Sequence, residues 1–161
     1  MNRIETASRD LERIKSRMPP PLPCLIGVLA GVGIDLWLPW SIGPRPVTIG
    51  AGVAAFLAMV WLAAATGRAF RDHATPVDPA RETLAIVETG PFRFTRNPAY
   101  LAACLLQAAI GCFLDNAWVL VFIIPALIAI QQLVVLREEA YLEAKFGEAY
   151  LSYKARVRRW L

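Results

Sequence analysis

Four apolar runs dominate this sequence, and their lengths decide what it can fold into. They extend over residues 22–40, 47–69, 98–114 and 117–136, each close to the ~20 residues that a helix needs to cross the hydrocarbon core of a bilayer. In a chain of 161 residues they leave room for one domain of a few spans and for no separate soluble domain of any size. The apolar share is 57% and the mean hydropathy +0.45, above the roughly 45 to 50% of ordinary soluble domains. The bilayer is the expected solvent. The expected fold is all-α: a polytopic membrane helix bundle of about four transmembrane helices, with N-terminal and C-terminal interfacial helices.

The charges orient it. The net charge is +4, but the basic residues sit beside the apolar runs, where they attract anionic headgroups, so nucleic acid is not an expected partner. If both termini and the stretch 70–97 share one side, every lysine and arginine except Arg45 lies there. By the positive-inside rule that side is the cytosol, as in a bacterial-type inner membrane. Trp37 and Trp40 suit the far interface. Asp35 beside them reads as an ionisable group within the membrane or as a group reaching interfacial water. Small residues along 47–69 (Gly50, Gly52, Ala54, Ala55, Ala58) let neighbouring helices approach closely, within or between protomers. Ile4, Ala7, Leu11 and Ile14 share one helical face, so residues 1–17 form an amphipathic helix on the membrane or on the protein itself. This segment lacks the form of a signal peptide.

Cys24, Cys104 and Cys112 lie inside apolar runs and read as small buried hydrophobes. His73 is the single histidine, which leaves little material for a zinc site or a Ser/His/Asp triad. We assign no metal.

Polar chemistry gathers in two places. The first is GPFRFTRNPAY, Gly90 to Tyr100, where two arginines and three aromatics surround Asn97-Pro98, a cap and first-turn proline for the helix 98–114. The second is Arg137-Glu138-Glu139, where the helix 117–136 leaves its apolar part. Asp115-Asn116 make the tight turn between these helices, so the hairpin returns the second cluster to the membrane face of the first. Gln107, Gln131 and Gln132 read as interhelical hydrogen-bonding groups. Gly147 is a natural helix stop. Beyond it Tyr150, Tyr153, Val157 and Trp160 recur at helical spacing among basic residues, as in an amphipathic tail.

The pair GPFRFTRNPAY and REEAYLEAKFGEAYLSYKARV resembles the signature of the isoprenylcysteine carboxyl methyltransferase and phospholipid methyltransferase superfamily of integral membrane enzymes. The resemblance covers residues 84 to 159. It implies a multispan fold that grips S-adenosyl-L-methionine at the cytosolic face without a Rossmann domain. It places cofactor contacts on Leu84, Ala85, Ile86, Val87, Phe92, Asn97, Pro98, Ala99, Tyr100 and Glu138. Asn97 stands where the family commonly has histidine, Phe92 where it often has tyrosine, and Val134 where the eukaryotic prenyl-protein enzymes have arginine.

The residue chemistry suits the same cofactor. Phe92 and Tyr100 offer aromatic faces to a sulfonium, Glu138 a carboxylate to an ammonium, and Arg93 or Arg96 a guanidinium to a carboxylate. The candidate catalytic residues are Glu138, Glu139 and Arg96. The expected partners are membrane lipids and a lipophilic small molecule or lipid, methylated on a carboxylate, thiol or amine. Two other readings stay open: a membrane NADPH-dependent reductase-like protein, and a non-catalytic membrane partner protein.

Overall fold

The computed structural model of the chain describes residues 21–73 and 85–161; the helix expected over 1–17, and Leu84, lie outside them. Among the described residues the regular structure is helical: α1 Leu22–Asp35, α2 Arg45–Asp72, α3 Pro98–Leu114, α4 Ala117–Val121, α5 Ile123–Ile130, α6 Leu136–Phe146 and α7 Glu148–Arg156. A 3-10 turn, Gly90–Arg93, precedes α3. A π-helical stretch, Gln131–Val135, joins α5 to α6.

Local chemistry explains these limits. Pro98 opens α3, where its missing N–H is no loss. At the other end Asp115 takes φ 54°, a left-handed turn that aspartate tolerates better than most residues. Asn116 then caps α4, its side chain accepting the Val119 N–H at 3.1 Å, and the two-residue turn of the hairpin is as expected. Pro125 lacks an N–H and crowds the carbonyl four residues before it, which is Val121, the last residue of α4.

Two helices are long and apolar enough to cross a membrane: α2 with 28 residues, and the stretch Ala117–Phe146, α4 to α6, with 30. Only 17% and 28% of their most apolar windows is buried, unlike the core helices of soluble proteins. Exposed Leu57, Trp61, Ile124 and Ile128 belong in lipid. The protein is an all-α helix bundle of the membrane class. The apolar helices α1 and α3, with 14 and 17 residues, are about 21 and 25 Å long at 1.5 Å per residue.

The first apolar run departs from expectation. It continues to Trp40, yet α1 ends at Asp35. The Asp35 carboxylate accepts the Trp40 N–H at 3.0 Å, closing a turn. The start of α4 takes up the carbonyls beyond it: Ala117 N–H donates to Trp40 at 2.9 Å and Trp118 Nε1 to Leu38 at 2.8 Å. Asp35 is therefore a turn former at a helix end.

The described residues fall into two compact units, one of 21–61 and 100–130, the other of 62–73, 85–99 and 131–161. In the first, α1 lies directly on the hairpin α3–α4 through glycine. A Cβ on Gly31 would stand 2.7 Å from the Val119 nitrogen and 2.8 Å from its Cα, both rigid helix backbone. Gln107, buried between these helices, donates from Nε2 to the Val119 carbonyl at 3.0 Å, the interhelical bond its position suggested. All three cysteines are buried with free thiols. Across the loops, Asp115 accepts from Ser41 Oγ at 2.7 Å and from the Ile42 N–H at 2.9 Å.

Replacing Gly31 with alanine should therefore destabilise the protein by about 1 to 3 kcal/mol, the usual penalty of overpacking. Gly33→Ala, where a Cβ meets nothing within 4 Å, should be neutral or slightly stabilising. Thermal unfolding of both variants in detergent checks this; equal melting temperatures would contradict the close approach.

Candidate functional site

In the second unit one buried carboxylate collects the polar residues. The apolar run ends at Leu136, and Glu138 and Glu139 follow on α6. Neighbouring residues of a helix point about 100° apart, so the two glutamates face different ways: Glu139 is 5% exposed, Glu138 half-buried. Glu139 accepts two parallel hydrogen bonds from Arg159, Nε to Oε1 at 2.9 Å and Nη2 to Oε2 at 2.8 Å. This fork is the strongest geometry between these groups. Arg96 Nη1 lies 3.1 Å from Oε1, and Lys154 Nζ 4.0 Å from Oε2 while pairing with Glu143.

The electrostatics follow. Burial pushes the Glu139 carboxyl up, but the Arg159 hydrogen bond and the charges of Arg96, Arg159 and Lys154 outweigh it and hold the group below the ordinary glutamate value. The same hydrogen bond raises Arg159. Burial, with the charge of Glu139, pushes the Tyr150 hydroxyl up to about 12 despite its hydrogen bond with Arg96. Tyr150 and Tyr153 are buried along α7. Tyr153, raised mainly by burial, donates its hydroxyl to the Phe92 carbonyl at 2.9 Å.

The segment after α7 straps this arrangement together. The amphipathic helix expected through Trp160 stops at Arg156, and Val157 is extended. The turn before α3 holds this segment extended by bonding to its carbonyls. Arg96 N–H donates to Arg158 O at 3.0 Å, while Thr95 Oγ1 and Asn97 Nδ2 donate to Arg159 O at 3.1 and 2.9 Å. Thr95 and Arg158 form a parallel bridge. Trp160 Nε1 donates to Gln131 Oε1 at 2.8 Å, so Gln131 serves the strap. Asn97, expected as the cap of α3, commits its amide to the strap and its N–H to Thr95 Oγ1 at 3.2 Å.

Among the residues singled out from sequence, Arg96, Asn97 and Glu139 are thus brought together, with Glu138 next in the chain. Val87 and Phe92 pack with Ala69 and Phe70 into a small apolar cluster, the two phenylalanine rings edge to face at 5.2 Å. Phe92 is therefore largely a core residue. Ala85 and Ile86 are half-buried, Pro98 is buried, and Arg93 and Ala99 are exposed. Tyr100, also buried, is the first residue of α3 assigned to the other unit. Sequence reasoning missed Arg159, Tyr150 and Thr95. Arg159 is one of four cations within residues 154–159, and nothing local marks which of them turns inward.

Glu139→Gln should lower stability by about 3 to 5 kcal/mol, because it strips buried Arg96 of its counter-charge. A depressed carboxyl contributes stability that is complete above its unfolded value, about 4.5, and is lost as pH falls through the folded one. Melting curves from pH 7 to 3 should therefore show the wild-type advantage over Glu139→Gln shrinking below about pH 4.5. A constant difference would mean that the carboxylate charge is not what stabilises the cluster.

Comparison with known proteins agrees with this picture. A family model described as phospholipid methyltransferase matches residues 47–149, which include the arginine-rich turn, the hairpin and both glutamates. The chain is also 42% identical over 62 residues to an uncharacterised protein of Haemophilus influenzae, a match covering 38% of this chain and 98% of that protein. No solved structure matches it. With well over half of its length matched, the chain belongs to the phospholipid methyltransferase family.

Proposed function

We propose that the protein is an integral membrane S-adenosylmethionine-dependent methyltransferase that methylates a lipophilic acceptor at the cytosolic face, with four spans and both termini on the cytosolic side. The observation that carries this reading is the meeting of the arginine-rich turn with the acidic start of α6 around Glu139, at the point where the apolar span gives way to charge.

The residues fit such a cofactor. Arg96, its side chain 9% exposed, keeps Nε and Nη1 buried without a hydrogen-bond partner, an arrangement suited to an amino-acid carboxylate. Glu138, half-buried one residue from the cluster, suits the ammonium. When bound, S-adenosylmethionine supplies a methyl group on a sulfonium. The chain's own residues then have to orient the acceptor in line with that methyl and keep water away, since such a displacement depends on placement more than on acid catalysis. A carboxylate or thiolate acceptor needs no base. An amine does, and Glu139 does not suit that role: both its oxygens are engaged by Arg159 and its carboxyl is held low. The lipid-exposed helices suit a hydrophobic acceptor that enters from the side.

Calorimetry in detergent should show binding of S-adenosylmethionine and S-adenosylhomocysteine and none of NADPH, and Glu138→Ala should weaken it at least tenfold, about 1.4 kcal/mol. A radiolabelled methyl-transfer assay over phospholipids, isoprenoid thiols and fatty acids then identifies the acceptor class. Binding of NADPH alone, or of neither ligand, would overturn the reading.

A further inference from the structure

Arg96 raises a question that its ion pair does not answer. A guanidinium has five donors in a fixed plane, and leaving buried charged donors unmet is unfavourable. Here Glu139 lies 3.1 Å from Arg96 Nη1, close enough for charge attraction, yet neither Nη1 nor Nε has a hydrogen-bond partner. The acceptor is at hand and is not used. Arg159 explains this, because its fork takes one lone pair on each of Oε1 and Oε2 of Glu139 and so fixes the plane of the carboxylate, out of line with the Arg96 hydrogens. The Arg159 backbone is itself fixed by Thr95 Oγ1 and Asn97 Nδ2 on its carbonyl. The strap thus delivers a competing guanidinium to the carboxylate that Arg96 would otherwise grip.

We infer that Arg159 is a positioning residue: by fixing the plane of the Glu139 carboxylate it keeps the Nε and Nη1 donors of Arg96 available to the carboxylate of the cofactor's amino-acid end. This rests on the cofactor reading above and adds a cause to it. Glu139 offsets the buried charge of Arg96 and holds it in place, Arg159 holds the Glu139 carboxylate in a plane that does not take up those donors, and the turn before α3 keeps Arg159 where it must be. Without Arg159, the Arg96 guanidinium swings onto Glu139 in its own bidentate pair and the carboxylate subsite closes. The change is one of ligand selectivity rather than of folding, since a buried carboxylate and a buried guanidinium still satisfy each other.

The test separates the carboxylate from the rest of the ligand. The full chain in detergent is titrated calorimetrically with S-adenosylhomocysteine and with its decarboxylated analogue, which retains adenosine, thioether and ammonium. Wild type should prefer S-adenosylhomocysteine. Arg159→Gln should lose at least tenfold in affinity for it while binding the decarboxylated analogue unchanged. Arg159→Lys, which keeps the charge and gives up the fork, should fall between, and serves if the glutamine variant does not fold. An equal loss for both ligands would reduce Arg159 to a structural role, and an undiminished preference in both variants would remove it from the site; either result overturns the inference. Failure of wild type to bind S-adenosylhomocysteine would instead strike at the cofactor reading itself.

Discussion

Glu139 is the group on which the second unit depends. It is a charge taken almost wholly out of water, which is tolerable only if cations and hydrogen bonds replace the lost hydration. Arg96 comes from the turn before α3, Lys154 from α7 and Arg159 from the strap, so three separate stretches are tied to one carboxylate on α6. None of these groups is stably placed alone. The strap 157–160 has no regular structure of its own and is held by side chains and carbonyls of residues 95–97.

The first unit rests on a different principle. Between its packed helices, close backbone approach does the holding, as at Gly31 on Val119, supplemented by polar bonds from Gln107 and Asn116. Van der Waals packing between small residues is the expected means of helix association in lipid, where apolar burial gives no net drive between helices. The polar cluster is confined to the end of the apolar run, where the helix turns from apolar to charged residues.

The π-helical stretch Gln131–Val135 stands at the change from apolar to charged helix. Such insertions are frequent at functional sites, because one extra residue per turn re-aims the side chains that follow. Here it falls immediately before α6, and it contains Gln131, the partner of Trp160. Glu138 and Glu139 inherit their directions from it.

Much of this was legible from the chain alone. Hydropathy and length settle the all-α membrane character, Pro98 and Asp115-Asn116 mark the hairpin's limits to the residue, and Gly147, with φ 54°, ends α6 where expected. These features are local: a proline, a left-handed turn or an apolar window acts through its immediate neighbours. The pairing of the arginine-rich turn with the glutamates was also legible, because a tight turn returns a hairpin to its own starting face. Which glutamate turns inward was not, since that depends on helical phase after a π insertion that no residue pattern announces. Nor was the strap, because a basic stretch at helical spacing looks amphipathic, and the donors of residues 95–97 that hold it extended are distant in sequence. Only the tertiary structure chose Arg159 among its neighbouring cations, as the one whose backbone Thr95 and Asn97 hold within reach of a buried carboxylate.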